Sequence, residues 1–154
     1  FYIRYVSGKN VVDTNFWTNN QMSQSVVSWR GIAFEDLCIR HMSQIKKALG
    51  ISGVITSQSN WIVPGSENEA GMQIDLLINR NDNIVNMCEM KFYHEDFTVN
   101  GEYNKKIASR ANKLHEDLPK KYAVHSTLIT TYGLTYNEYS GAFQQVITLE
   151  ELFS

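Results

Sequence analysis

The stretch Gln73-Ile74-Asp75-Leu76-Leu77-Ile78-Asn79-Arg80-Asn81-Asp82-Asn83-Ile84-Val85-Asn86-Met87-Cys88-Glu89-Met90-Lys91-Phe92 decides the fold of this chain. Two apolar runs, Ile74 to Ile78 and Ile84 to Phe92, flank a polar cluster of turn formers, which is the pattern of a β-hairpin. The runs are apolar at nearly every position instead of at alternate ones, so both faces of their sheet should be covered. Asp75, Glu89 and Lys91 lie within these strands, and charges in such places are paired or hold a metal. A turn centred on Asn81 and Asp82 sets Asp75 opposite Cys88, one residue from Glu89. Side chains alternate along a strand, so Glu89 and Lys91 point the same way. The expectation is an acidic pair with an ammonium beside it.

Working outward, 154 residues with 43% hydrophobic content suffice for one substantial core and argue for a single domain. A net charge of -2 creates no global field for polyanions, so any nucleic-acid contact must rest on a local patch. No apolar run has the length of a membrane span and no secretory pattern opens the chain, so the expected setting is cytoplasmic, without a membrane partner. Cys38 and Cys88 lie in apolar patterns away from any zinc-type spacing and read as reduced, buried thiols. Phe1-Tyr2-Ile3-Arg4-Tyr5-Val6 reads as the middle of a folded element. Residues 1–27 are therefore expected to be an extension from a preceding domain, and residues 28–154 the domain proper.

Phe34, Cys38, Met42, Ile45 and Leu49 recur at helical spacing from about Ser28, and Gly50 is placed to end that helix. Glu35 lies beside the stripe near the helix start, where the helix dipole or a functional site could each account for it. A strand over Val54 to Val63 and a Pro/Gly loop lead into the hairpin. A helix from about Tyr103 to Leu118 follows it, with Ile107, Ala111, Leu114 and Leu118 as its apolar stripe. Lys106, Arg110 and Lys113 form a second, basic stripe on that helix, which serves either as a solvated face or as a contact for phosphates. Ala123 to Tyr132 and Phe143 to Ile147 read as strands, and Thr148 with Glu151 forms a capping box for a short terminal helix.

Asp75, then Glu89-Met90-Lys91 in the next strand, resembles the D…(D/E)-x-K signature of the PD-(D/E)XK nuclease superfamily, with Ile74 where the motif has proline. The element order α-β-β-β-α-β extends this resemblance over residues 28 to 132. It implies an α/β, restriction-endonuclease-like fold: a three-layer α/β/α sandwich with a mixed central sheet. Trp29-Arg30-Gly31 through Phe34-Glu35, Gln44 to Gly50, Gln73 to Leu77 and Cys88 to Phe92 are also similar to the C-terminal region of a family of prokaryotic AAA-type ATP-binding proteins. No G-x-x-x-x-G-K-[ST] is present in this chain, so no ATP site is expected in it.

The resemblance implies that Asp75 and Glu89 are ligands of Mg²⁺, with Mn²⁺ as a substitute. It also implies that Lys91 sets a positive charge near the attacking water and that Glu35 completes the catalytic set. Implied partners are nucleic acid, with DNA placed first and RNA left open, and the ATPase domain of a parent chain. Homo-oligomerisation stays open. A competing reading of the same residues is an idle nuclease-fold module serving regulation or binding, with Asp75, Glu89 and Lys91 as a buried ion network. A ligand-binding α/β domain is a third.

Overall fold

The computed structural model describes residues 22–66 and 70–154. Of the expected N-terminal extension, residues 1–21 lie outside this range, as do Glu67 and Glu69 of the loop before the hairpin. Ser23 caps helix α1 (Gln24–Arg40), its side chain accepting from the Val26 amide at 3.4 Å, so the helix starts about one turn earlier than the apolar stripe suggests. The expected single helix is also divided. At His41 the backbone leaves helical geometry (φ -103, ψ 32), and α2 follows over Met42–Ala48. The stripe survives this break, since Phe34, Cys38, Met42, Ile45 and Leu49 are all buried. Gly50 ends α2 at φ 69, a left-handed conformation in which a Cβ is strained.

Five strands follow: β1 (Thr56–Val63), β2 (Met72–Arg80), β3 (Ile84–Lys91), β4 (Ala123–Thr130) and β5 (Gln145–Thr148). They lie side by side in chain order, antiparallel from β1 to β3 and parallel from β3 to β5. Parallel neighbours need a crossover, and helix α3 (Gly101–Asp117) supplies the one between β3 and β4. Asn100 caps α3 by accepting from the Tyr103 amide at 2.8 Å. The Thr148/Glu151 box forms, with the Glu151 carboxylate accepting from the Thr148 amide at 2.7 Å, but it closes only a 3-10 turn over Glu150–Leu152.

The sheet is covered on both faces. Leu76, Ile78, Cys88, Met90, Ile129 and Ile147 pack with the α1 and α2 stripe, while Ile74, Leu77, Val85, Met87 and Leu128 pack with Ile107 and Leu114 of α3. The protein is thus an α/β fold built on a five-stranded mixed open sheet with helices on either side. Cys38 and Cys88 are free thiols in the α1 core, and burial pushes the Cys38 thiol up to about 12. Among the described residues, no helix is long and apolar enough to cross a membrane.

The hairpin register differs by one residue from the expected one. Leu76, not Asp75, faces Cys88, and Asn79 faces Val85. The connection is therefore the three residues Asn81, Asp82 and Asn83, and Asn83 takes the left-handed conformation (φ 64) with which such loops close. This shift sets Asp75 level with Glu89, yet β2 and β3 are no longer paired there, because their ladder stops at Leu76 and Cys88. Beyond that rung β2 continues on β1 as far as Met72, and β3 continues on β4 as far as Lys91. The sheet forks at the two carboxylates.

A β-bulge accompanies the fork. Ser59 faces Leu77 and Trp61 faces Ile74, so Asn60 alone on β1 stands against Asp75 and Leu76 on β2. The extra residue resets the alternation, so that Ile74 packs on the α3 side and Leu76 on the α1 side.

The left-handed Asn83 carries a prediction for the turn. Asn83→Gly should leave stability within about 0.5 kcal/mol of the parent, whereas Asn83→Val should cost roughly 1–2 kcal/mol, because a β-branched residue is strained at this φ. Urea unfolding of both variants measures the difference.

Candidate functional site at the sheet fork

Glu89 sits near the end of β3 on the α3 side, only 6% exposed. A carboxylate at that depth needs donors, and α3 provides two. Arg110 Nη1 donates to Glu89 Oε1, and the Tyr103 hydroxyl donates to Oε2 at 2.9 Å. Lys91 Nζ stands 3.6 Å from Oε2, on the same side of β3 as the two-residue spacing requires. The Arg110 side chain is itself 14% exposed, so its pair with Glu89 is largely withdrawn from water. The Tyr103 ring is held edge-on by Phe97 at 5.3 Å and lies against Phe143 at 6.5 Å. Burial, followed by the charge of Glu89 and the hydrogen bond to it, pushes the Tyr103 phenol upward, so it stays protonated and remains a donor.

Asp75 is exposed on the other arm of the fork, where Gln73 Nε2 donates to its Oδ1 at 2.5 Å. Glu35 lies half-buried on α1. Burial raises its pKa above the ordinary 4.5, the negative charge of Asp75 raises it further, Lys91 opposes the shift and Glu89 adds to it. The charges of Asp75, Lys91 and Glu89 thus each act on Glu35, although the Glu89 carboxylate itself turns to α3. Lys91 also pairs along the ladder with Thr130, whose side-chain oxygen is buried with no hydrogen-bond partner among the described residues.

The basic stripe of α3 is rearranged relative to its sequence reading. Lys106 is exposed, but Arg110 turns inward to Glu89, and Lys113 lies 3.5 Å from Glu116 and 3.6 Å from Asp117. Arg110 is therefore not a solvated phosphate contact in this structure, because the buried carboxylate opposite claims it. Sequence reading missed Tyr103 and Gln73 altogether. A signal for Tyr103 existed: Tyr103, Ile107, Arg110 and Leu114 follow helical core spacing, which places a phenol and a guanidinium on the seam facing the sheet.

Among the described residues, no three His, Cys, Asp or Glu side chains gather closely enough to form a metal-holding group. Asp75 and Glu89 offer the oxygen donors that Mg²⁺ takes from protein when it keeps several waters. They fit such a cation in chemical type. Both Glu89 oxygens, however, already accept from side chains of this chain.

No protein-family profile matches the chain, and no curated protein is significantly similar to it. The crystal structure of a protein of unknown function, AF1548, aligns with a TM-score of 0.45 and 20% identity over 75% of this chain. The chain spans 64% of that protein's length, and a likeness of this degree carries no argument about either fold or function.

Two outcomes follow from the charges. Glu89→Ala should destabilise the fold by roughly 3–5 kcal/mol because it leaves Arg110 largely buried and unpaired, and Arg110→Ala should cost less because Lys91 Nζ remains 3.6 Å from Glu89. The double variant should lose clearly less than the sum, and chemical denaturation of the four proteins completes the cycle. Glu35 binds its proton more tightly in the folded state than in the unfolded chain, so its ionisation reduces stability as pH rises from 4.5 through the raised folded value. Glu35→Gln should therefore raise the melting temperature at neutral pH, and the gain should vanish below pH 4.5.

Proposed function

We propose that this chain is a metal-dependent nuclease domain of restriction-endonuclease-like fold that hydrolyses nucleic-acid phosphodiester bonds, working as the C-terminal part of an AAA-type ATPase. The observation that carries this reading is the fork. Strand pairing stops where Asp75 and Glu89 come level, with Lys91 paired to Glu89 and the charges of all three acting on Glu35 of α1. An unpaired sheet end lined by these groups costs ladder hydrogen bonds, which a purely structural hairpin has no reason to forgo.

Asp75 and Glu89 supply the oxygen ligands. Mg²⁺ held by these two carboxylates would supply Lewis acidity toward the phosphodiester and a water of lowered pKa. Lys91 holds a fixed positive charge where negative charge develops on the phosphoryl oxygens. Glu35, which keeps its proton more firmly than a surface glutamate, orients a water on the α1 side. Lys106 is an exposed cation of α3 suited to a backbone phosphate.

A second reading is favoured by a specific observation: Glu89 is closed in by Arg110 and Tyr103, as in an idle module whose charges serve only the fold. Asp75 separates the two, because it is exposed and contributes little to packing. With Mg²⁺ or Mn²⁺, the chain and its full-length parent should cleave DNA or RNA substrates. Asp75→Asn, Glu89→Gln and Lys91→Ala should each reduce cleavage by at least about a hundredfold, and the triple variant should be little worse than any single one. If neither protein cleaves single- or double-stranded DNA or RNA with either metal, the nuclease assignment is withdrawn in favour of the idle module.

A further inference from the structure

We infer that Arg110 is a built-in cation lock on Glu89: its guanidinium holds the carboxylate oxygen that a divalent cation requires, so metal binds only as Arg110 lets go. This rests on reading the fork as a metal site and adds how access to it is controlled. The argument starts from burial. Glu89 in β3 is 6% exposed and cannot be left without a counter-charge, so some cation must be present in every state of the folded site. In this structure the cation in direct hydrogen-bond contact is Arg110, on Oε1, with Lys91 as a more distant second ion pair. Lys91 does not replace it, because Nζ stands 3.6 Å from the other oxygen and its side chain is 39% exposed. Tyr103 orients Oε2 through a neutral hydroxyl and brings no charge.

Arg110 is also the member of the basic stripe with an exposed lysine one turn before it, Lys106. A guanidinium accepts phosphate in the same forked geometry as carboxylate. A phosphodiester drawn to that face of α3 competes with Glu89 for Arg110, and release of Arg110 leaves Glu89 in need of the metal. Nucleic acid and divalent cation then bind with positive coupling, each favouring the state the other requires.

Mn²⁺ binding, followed by electron paramagnetic resonance of the free ion, tests this without any cleavage readout. Relative to the parent chain, Arg110→Gln should tighten Mn²⁺ binding at least about tenfold, the scale of a charge-assisted hydrogen bond at one ligand. Tyr103→Phe should not tighten it, and Arg110→Gln combined with Glu89→Gln should abolish the gain. Should Arg110→Gln fail to fold, the parent protein provides the measurement. The Arg110 Nε–H resonance should move on titration with Mg²⁺, and the apparent Mg²⁺ affinity should rise when a non-cleavable phosphorothioate oligonucleotide is present. Equal Mn²⁺ affinity in the parent and Arg110→Gln, or weaker binding in the variant, overturns the lock while leaving the nuclease reading in place. An Arg110 signal that does not respond to Mg²⁺ overturns it as well. Absence of Mn²⁺ binding in every variant overturns both.

Discussion

A single buried carboxylate constrains much of this protein. Glu89 occupies a strand with neighbours on both sides, at a depth where an ion alone costs several kcal/mol. The chain meets that demand from α3, where Arg110 and Tyr103 stand two turns apart and reach different oxygens of the same group. These contacts, together with Ile107 and Leu114 on the same seam, fix which face of α3 turns to the sheet. The crossover helix that parallel pairing requires is thereby also the element that neutralises the site.

The bulge and the fork are the second constraint. In an unbroken antiparallel ladder Ile74 and Leu76 would share a face, and Asp75 would be directed by strict alternation. One additional residue on β2 sends Ile74 to one core and Leu76 to the other. Both cores stay filled while Asp75 remains in solvent. The β2–β3 ladder ends at the same level, so that their carboxylates are not on hydrogen-bonded rungs. A feature that looks like a defect in hydrogen bonding is what distinguishes the site from ordinary sheet.

These two constraints pull Glu89 in different directions. Toward α3 it is a satisfied member of an ion network, and its charge, like that of Asp75, also reaches Glu35 on α1. Under the proposed metal-dependent reading, a carboxylate buried before its cation arrives needs an internal substitute. The guanidinium of Arg110 is suited to that role because it is always charged and exchanges carboxylate for phosphate without change of geometry.

Much was legible in the amino-acid sequence itself. Apolar periodicity located α1 with α2, the hairpin and α3, and the unbroken apolar runs of β2 and β3 announced a sheet covered on both faces, because burial acts residue by residue and leaves its period in the chain. The same local logic singled out Glu89 as a charge out of place, whereas Asp75, expected in a buried strand, is exposed. Other features were decided only in three dimensions. The one-residue register shift depended on Asn83 adopting a left-handed conformation, and the bulge depended on how β1 paired with β2. Neither is a property of one segment. Arg110 read as one of three basic residues on a stripe, and only its place in the core spacing of Tyr103, Ile107 and Leu114 set it apart from Lys106 and Lys113. Its role was set by a carboxylate twenty-one residues away in the chain. Sequence determines which groups must be buried or paired, through hydrophobicity and charge carried by each residue; only the tertiary structure decides with whom, because pairing is a matter of distance across elements.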